Sequence, residues 1–329
     1  MKKKKEKKKE KMNVEKRVVA KAERAFLHEA ILGHGLRMDG RRDVDSRPLR
    51  ISFADNGVCE VQLGRTRVLC VVSSKVVEPF ADRGHDGTFE FQVNLSPMAS
   101  SEFPKEATMS PGETFARSSW FGLFFFFFSF FCAAAIQICR TIERTFRDSG
   151  AIDTESLCIL AGSKVWAVAV EMTVLDHSGN LTDACSYAAM AALMHFRRPS
   201  VTVSNSGSVT LHSWSDLEPS PLALHHTPVC VSFGFVQNEG KEAVIVDPSD
   251  QEELVCEGTA SIALNLHGEI CSLHFVGAAV EPHTLQRCVN LAAIRAREII
   301  AEIEAAVEKS LQEGGNIGRR NLIAYLEAK

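Results

Sequence analysis

Apolar residues fall at every second position from Thr88 to Leu95 (TFEFQVNL), the spacing of a strand buried on one face. Upstream, Leu49 to Phe53, Val58 to Leu63 and Arg67 to Ser73 alternate or run together, separated by Ala54-Asp55-Asn56-Gly57 and Gly64-Arg65-Thr66. Such runs with Asn-Gly turn chemistry predict an antiparallel meander. Further on, Ser156 to Ala161 and Lys164 to Leu175 flank Gly162-Ser163, which predicts a hairpin whose second strand is long and mostly buried. A cluster of turn formers, Asp176-His177-Ser178-Gly179-Asn180, then precedes an Ala-, Met- and Leu-rich helix over Ala184 to Phe196. Thr182 or Asp183 is suited to cap it. Arg197-Arg198-Pro199 closes it, because two cations complement its C-terminus and the proline cannot extend it. Small residues at Ala184, Ser186, Ala188, Ala189, Ala191 and Ala192 let this helix lie close against a sheet.

The flanks repeat the two periods. Val18 to Ile31 predicts an amphipathic helix, with Val19, Ala22, Phe26 and Ala30 on one face and Gly33 and Gly35 as stops. Ser96 to Pro111 reads as a loop and Val201 to Leu211 as short strands. Leu217 to Pro228 holds three prolines and marks a boundary between halves. Val229 to Val236, Ala243 to Asp247, Thr259 to Leu266 and Glu269 to Val276 read as strands. From Pro282 a long helix carries Leu285, Val289, Ala292, Ile299, Ile303, Val307 and Leu311 at three- and four-residue spacing. The reading is an α+β protein divided into a Lys-rich tail (1–17), a first half (18–199), a second half ending in the long helix (200–312) and a C-terminal tail (313–329).

Composition narrows this only slightly. With 329 residues, 45% apolar and 24% charged, the chain is long enough to bury a sizeable core. Its net charge of -4 does not announce a nucleic-acid binder, so any RNA contact must come from a local patch or a partner. The ten cysteines are scattered without a CxxC pair, and no cleavable signal peptide opens the chain. The expectation is a reduced, intracellular protein whose thiols are core residues, with no structural metal and no cofactor. MKKKKEKKKEK is expected to stay solvated, as a solubilising tail, an import signal or an RNA-attracting arm.

Ser118 to Cys139 breaks the pattern: 22 residues without a charge, five of them consecutive phenylalanines. It is long enough to span a bilayer, yet a span there would interrupt a soluble domain whose halves must meet. A lid or partner-binding insertion is a second reading, although an exposed Phe run is an aggregation hazard. The third, preferred reading is that about 116–135 is translated intron or a gene-model error.

Several separate motifs carry a family resemblance. Arg37-Met38-Asp39-Gly40-Arg41-Arg42 resembles an RxDGR opening, here a Gly-supported turn with a surface ion pair. GRTRVLCVV is similar to a GxTxV strand. DTESLCILAGSKVW, LDHSGNLTDA and HFRRP complete the match. Together they resemble the ribonuclease PH family, over about Glu23 to Leu311, and within it the catalytically degenerate ring subunits of the eukaryotic RNA exosome. The resemblance implies the ribonuclease PH fold, two related halves of sheet with packed helices. It implies a hetero-hexameric ring of such subunits, direct pairing with one similar to ribosomal RNA-processing protein 41, cap subunits, single-stranded RNA in the channel and no membrane. The implied location is nucleus and nucleolus, also cytoplasm. The resemblance also implies a longer C-terminal extension than this chain carries to Lys329, so a truncated chain is one reading.

Active members of that family shorten RNA from its 3' end with inorganic phosphate, which requires cations and hydroxyls for the phosphate and carboxylates for a metal or proton. The family's ADGGTR-like loop matches His177 to Asp183, with Thr182 on the hydroxyl position and Asp183 on the arginine position. Its carboxylate pair falls on Glu253 and Thr259. An acid that repels phosphate and an alcohol without charge leave the site degenerate, and the acids around it (Asp247, Asp250, Glu252, Glu257) read as a solvated turn rather than a metal site. The resemblance also implies RNA contacts by Arg140, Arg144 and Arg147 on one side of a helix, with Arg65 and Arg67 as a second candidate pair. His177, His225 and His226 lack metal-ligand spacing. The alternative function is an active phosphate-dependent 3' exoribonuclease.

Overall fold

A computed structural model describes residues 20–80, 83–100, 103, 135–204, 209–212, 216–238, 241–277 and 279–327. The Lys-rich tail and the Phe run lie outside the described residues. The tail end of that apolar stretch does not: Ala135, Ile138 and Cys139 are buried in a helix, α2, over 135–143 that widens at Arg144–Asp148. Among the described residues, no helix is long and apolar enough to cross a membrane.

The first half is a mixed sheet. β1 (Leu49–Asp55), β2 (Val58–Leu63) and β3 (Thr66–Val77) form the meander, and β6 (Lys164–Asp176) pairs with β3 in antiparallel fashion and with β4 (Thr88–Leu95) in parallel, in the order β1-β2-β3-β6-β4. The short β5 (Cys158–Leu160) turns back along β6 as the Gly162-Ser163 hairpin requires. Alternation drives Cys59, Val61, Val68, Cys70, Val170, Met172, Phe91 and Val93 to one face, all nearly inaccessible. The cysteines pack as small apolar groups, with Cys59 Sγ donating to the Ala188 carbonyl of the helix above.

That helix, α3 (Leu181–His195), is buried nearly all round, because it lies between the first sheet and the second half. It begins earlier than its pattern suggests. Neither Thr182 nor Asp183 caps it; Asn180 does, at φ 52°, a left-handed conformation Asn tolerates, and its side chain accepts from the Asp183 N–H. Arg197–Arg198 form a two-residue strand, β7, that pairs with β10 (Ser220–Pro221), while β8 (Val201–Val203) pairs with β9 (Val209–Leu211).

The second half is an antiparallel sheet in the order β12-β11-β13-β14, from β11 (Val229–Asn238), β12 (Lys241–Val246), β13 (Gly258–Leu264) and β14 (Ile270–Gly277). Pairing of β11 with β12 starts only at Phe233, so amides before it lack a strand partner on that edge. Side chains of α3 supply one: Ser186 accepts from the Cys230 N–H and Asp183 from the Ser232 N–H.

Two helices differ from the pattern in their buried face. In α1 (Lys21–His28) and the wider turn Glu29–Gly33 that continues it, Leu27, His28 and Ile31 are buried, whereas Ala22 and Phe26 are exposed and Ala30 is half-buried. The five-residue turn shifts the phase, and Ile31 packs with Val236 and Ile245 of the second sheet. The last helix of the chain runs from Pro282 to Glu327. Cys288, Ala292, Ala296, Ile299, Ile300, Ile303 and Val307 form its packed stripe, with Leu285 and Val289 half-buried and Leu311 exposed. Its backbone continues through 313–327 because Leu, Ala, Glu and Arg propagate a helix, at a cost of about 1 kcal/mol for each intervening glycine.

Candidate functional site

The loop Asp176 to Asn180 links β6 to α3, where the family's phosphate loop belongs. A loop that holds an anion at a helix N-terminus must aim free backbone N–H groups at it. Here three of the loop's are taken. Ser178 N–H donates to Thr66 Oγ1 at 3.2 Å, Gly179 N–H to His177 Nδ1 at 3.4 Å, and Asn180 N–H to the Glu253 carboxylate at 2.6 Å. The carbonyls are equally occupied, Ser178 by Arg47 Nη1 at 2.8 Å and by the Asp250 N–H, Gly179 by Thr66 at 2.8 Å and Arg47 Nη2 at 3.2 Å. Gly179 sits at φ 89°, and a Cβ there would meet the Asp250 nitrogen at 2.4 Å, so the second half's backbone presses directly on the loop.

What presses on it is the acid-rich turn. Glu252 and Glu253 end a short helix over Asp250–Glu253 that Ser249 opens with a capping box. Of the acids expected on a solvated turn, only Glu257 is exposed and Asp250 is half-buried. Asp247 and Glu252 are 2% and 1% exposed, and Glu253 is half-buried. Burial of such charges demands partners, and arginines of the N-terminal segment supply them. Arg37 grips Glu252 with Nε at 2.8 Å and Nη2 at 2.6 Å and donates to the Val246 and Asp247 carbonyls. It is 4% exposed, so the opening motif is a buried clamp with Arg37 inside; only Arg41–Asp39 is the more exposed ion pair expected there. Arg47 grips Asp247 with Nε at 2.8 Å and Nη2 at 2.7 Å, and its own N–H donates to the same carboxylate.

Asp183 and Asp247 both accept from the Asn180 amide at 2.7 Å. Asp183 also accepts from Ser232 Oγ at 2.6 Å and Ser232 N at 2.8 Å, so it points into the seam between the halves. The electrostatics follow the partners. Burial pushes Asp183 up to about 7, with Asp247 adding to the rise and the Ser232 and Asn180 hydrogen bonds holding it back. Burial likewise pushes Glu253 up to about 7, reinforced by Asp250 and Asp247 and opposed by the Asn180 N–H and Arg47. Burial acts on Asp247 too, but the Arg47 guanidinium outweighs it and holds that carboxyl below its ordinary value, as Arg37 does for Glu252. Thr259 lies in β13 opposite Gly234 and Val276 and shares no hydrogen bond with Asp183 or Glu253. Among the described residues no group of three His, Cys, Asp or Glu side chains is placed to hold a metal.

The candidate RNA contacts stand elsewhere. Arg140 and Arg144 are exposed on α2 and its widened end, while Arg147 pairs with Glu143 and donates to the Phe89 carbonyl. Arg65 is exposed in the β2–β3 turn, and Arg67 pairs with Glu60 at 2.5 Å. The sequence context of Arg47 and Asn180 does not single them out. The available signals were weak: an arginine directly before Pro48 at the head of β1, and an Asn closing a run of turn formers.

A fold of two such halves, with a loop-and-acid-turn seam, defines the ribonuclease PH class. Residues 45–199 match the first domain of the 3' exoribonuclease family and residues 226–295 its second domain; the chain belongs to this family. It is similar to proteins named exosome complex component RRP45. The Bos taurus protein is 40% identical over 91% of this chain and 63% of its own length. RRP45A of Arabidopsis thaliana is 38% identical over 85% of this chain and 84% of its own, and rrp45 of Schizosaccharomyces pombe is 36% identical over 86% and 89%. The chain thus spans somewhat under two thirds of the Bos taurus protein. Among solved structures it is similar to an Archaeoglobus fulgidus exosome with RNA bound to the active site, at TM-score 0.65 and 25% identity over 85% of this chain and 96% of the other.

Proposed function

We propose that this chain is a non-catalytic ring subunit of an RNA exosome. It supports 3'-to-5' processing and degradation of RNA, including ribosomal RNA maturation and messenger RNA turnover, by forming part of the channel that threads single-stranded RNA to nucleases bound elsewhere. One observation carries this reading: the N–H groups of Ser178, Gly179 and Asn180 are all consumed within the chain, with the Glu253 carboxylate where an anionic substrate would have to bind. An internal acid bonded to the loop excludes phosphate by occupancy. Asp183 and Thr259 then add no cation and no second carboxylate at the positions matched to the family's catalytic residues.

The likeness to RRP45 proteins and to an archaeal exosome supports the assembly role: a hetero-hexameric ring with other ribonuclease PH-type subunits, paired to one similar to ribosomal RNA-processing protein 41 and topped by cap subunits. Location in nucleus, nucleolus and cytoplasm goes with that role. The exposed cations Arg140, Arg144 and Arg65 are its candidate RNA contacts, with Arg147 and Arg67 reaching RNA only by leaving their acid partners.

Purified protein incubated with end-labelled single-stranded RNA, magnesium and phosphate is expected to leave the RNA intact. Progressive 3' shortening that disappears in Glu253→Ala would instead establish the alternative, a phosphate-dependent exoribonuclease.

A further inference from the structure

The proline-rich boundary between the halves holds a hydroxyl set against a guanidinium that no carboxylate matches. Ser220 of β10 pairs directly across from Arg198 of β7. Its Oγ accepts from Arg198 Nε at 3.0 Å, and Arg198 Nη1 donates to the Ser156 carbonyl at 2.8 Å. Among the described residues Nη2 makes no hydrogen bond and the guanidinium no ion pair. Arg198 is half-buried, and burial pulls it below its ordinary value, with Asp153 restoring part. Asp153 is turned to its own loop, where its Oδ1 accepts from the Glu155 and Ser156 N–H groups. A cation so placed gains from an anion brought to it.

A second, independent feature is the sequence around the hydroxyl. Ser220 stands between Pro219 and Pro221, and Asp216, Leu217, Glu218 and Pro221 around it are exposed. A two-residue strand at the surface opens at little cost, and a serine followed by an exposed proline is what a proline-directed protein kinase accepts. Ser96-Pro97 and Thr227-Pro228 are the other Ser-Pro or Thr-Pro pairs among the described residues, and neither hydroxyl meets a guanidinium.

We propose that Ser220 is a phosphorylation site for a proline-directed protein kinase and that Arg198 is the receptor for the phosphate. Ser220 Oγ attacks the γ-phosphorus of ATP, the bond from that phosphorus to its bridging oxygen breaks to release ADP, and the hydroxyl proton leaves to the kinase's base. The phosphate brings a charge of about -2 and three acceptor oxygens to a guanidinium with a donor group to spare. It thereby ties β10 to β7 at the junction of the two halves. The site needs neither ring membership nor catalytic inactivity.

The full-length protein, with whatever subunits accompany it, is incubated with a proline-directed kinase and ATP, and the modified residues are mapped by mass spectrometry. Phosphate on Ser220 is expected. Its second proton loss, near pH 6 in an unrestrained chain by the usual order of magnitude, about 6, is then followed by phosphorus magnetic resonance, the signal being assigned by its loss in Ser220→Ala. In the folded protein the midpoint is expected at least about 0.5 pH units below that of the same sample unfolded in urea, because Arg198 favours the dianion. Arg198→Gln brings the two midpoints together. An unmodified Ser220 overturns the proposal. So does a midpoint that is the same folded and unfolded, a comparison made on one unsubstituted sample and independent of whether Arg198→Gln folds. A lowered midpoint that survives Arg198→Gln overturns Arg198 as the receptor.

Discussion

Two groups of arginines in this molecule have opposite fates. Arg37 and Arg47 are almost wholly buried, each forked onto a carboxylate and onto backbone carbonyls across the seam. Arg140 and Arg144 are exposed on α2. The guanidinium is the same; what differs is how many acceptors surround it and whether water can replace them. In the seam, five donors in a fixed fork meet buried acids and carbonyls that water does not replace, so the arginines become structure. On the helix they meet water and stay available to an anionic ligand.

Breaking the buried set is expected to have the largest effect. Arg47→Met leaves the Asp247 carboxylate buried beside the Ser178 and Gly179 carbonyls with fewer donors. Removing one partner of a buried ion pair costs about 3–5 kcal/mol, which for a chain of this size lowers the melting temperature by roughly 10 °C. Thermal and urea unfolding measure it, and a loss under about 1 kcal/mol would mean that apolar packing alone joins the halves.

The pH dependence is next in size and sharpens the contrast within the seam itself. Asp183 and Glu253 have folded values near 7, above their values in the unfolded chain. The folded state therefore binds protons that the unfolded state releases, and stability falls as pH rises from about 4 to 7, then levels. Asp247 and Glu252 have lowered values, so the stability they add is present above the ordinary carboxylate range and is lost as pH falls below it, through their lowered folded values. The melting temperature should be several degrees higher near pH 5 than at pH 8, and Asp183→Asn should remove a substantial part of that slope. A melting temperature flat from pH 5 to 8 would show that neither acid holds a proton in the fold.

Much of the architecture is legible in the chain. Strands such as Thr88–Leu95 and Val58–Leu63 coincide with their alternation, because one buried face imposes a period of two. The long helix starts at Pro282 as its sequence requires. Phase within helices is less legible: the wide turn at Glu29–Gly33 rotates Ile31 inward and leaves Phe26 outside, and no single residue announces that turn. The seam is the least legible part. Asp247 and Glu252 look like surface acids in sequence, since their partners Arg47 and Arg37 stand about two hundred positions away and only the packing of the halves unites them. The loop that matches a phosphate site keeps its glycine, but the atoms that close it come from Thr66 and Glu253.

The exposed set is expected to show the smallest change in stability and a separate change in binding. Arg140→Ala and Arg144→Ala remove side chains that water already solvates, so each should alter unfolding free energy by no more than about 0.5 kcal/mol. If they contact RNA, each lost phosphate contact lowers the salt dependence of binding by roughly one ion-release unit, without changing preference among sequences. Arg147 provides the internal control. It is held by Glu143 and the Phe89 carbonyl, so Arg147→Ala should affect stability more, and RNA binding less, than Arg144→Ala does. RNA affinity of the assembled ring at several salt concentrations, compared across the three variants, separates the two. If all three leave the salt slope unchanged, this face of α2 is solvated surface and the RNA path lies on another side of the subunit.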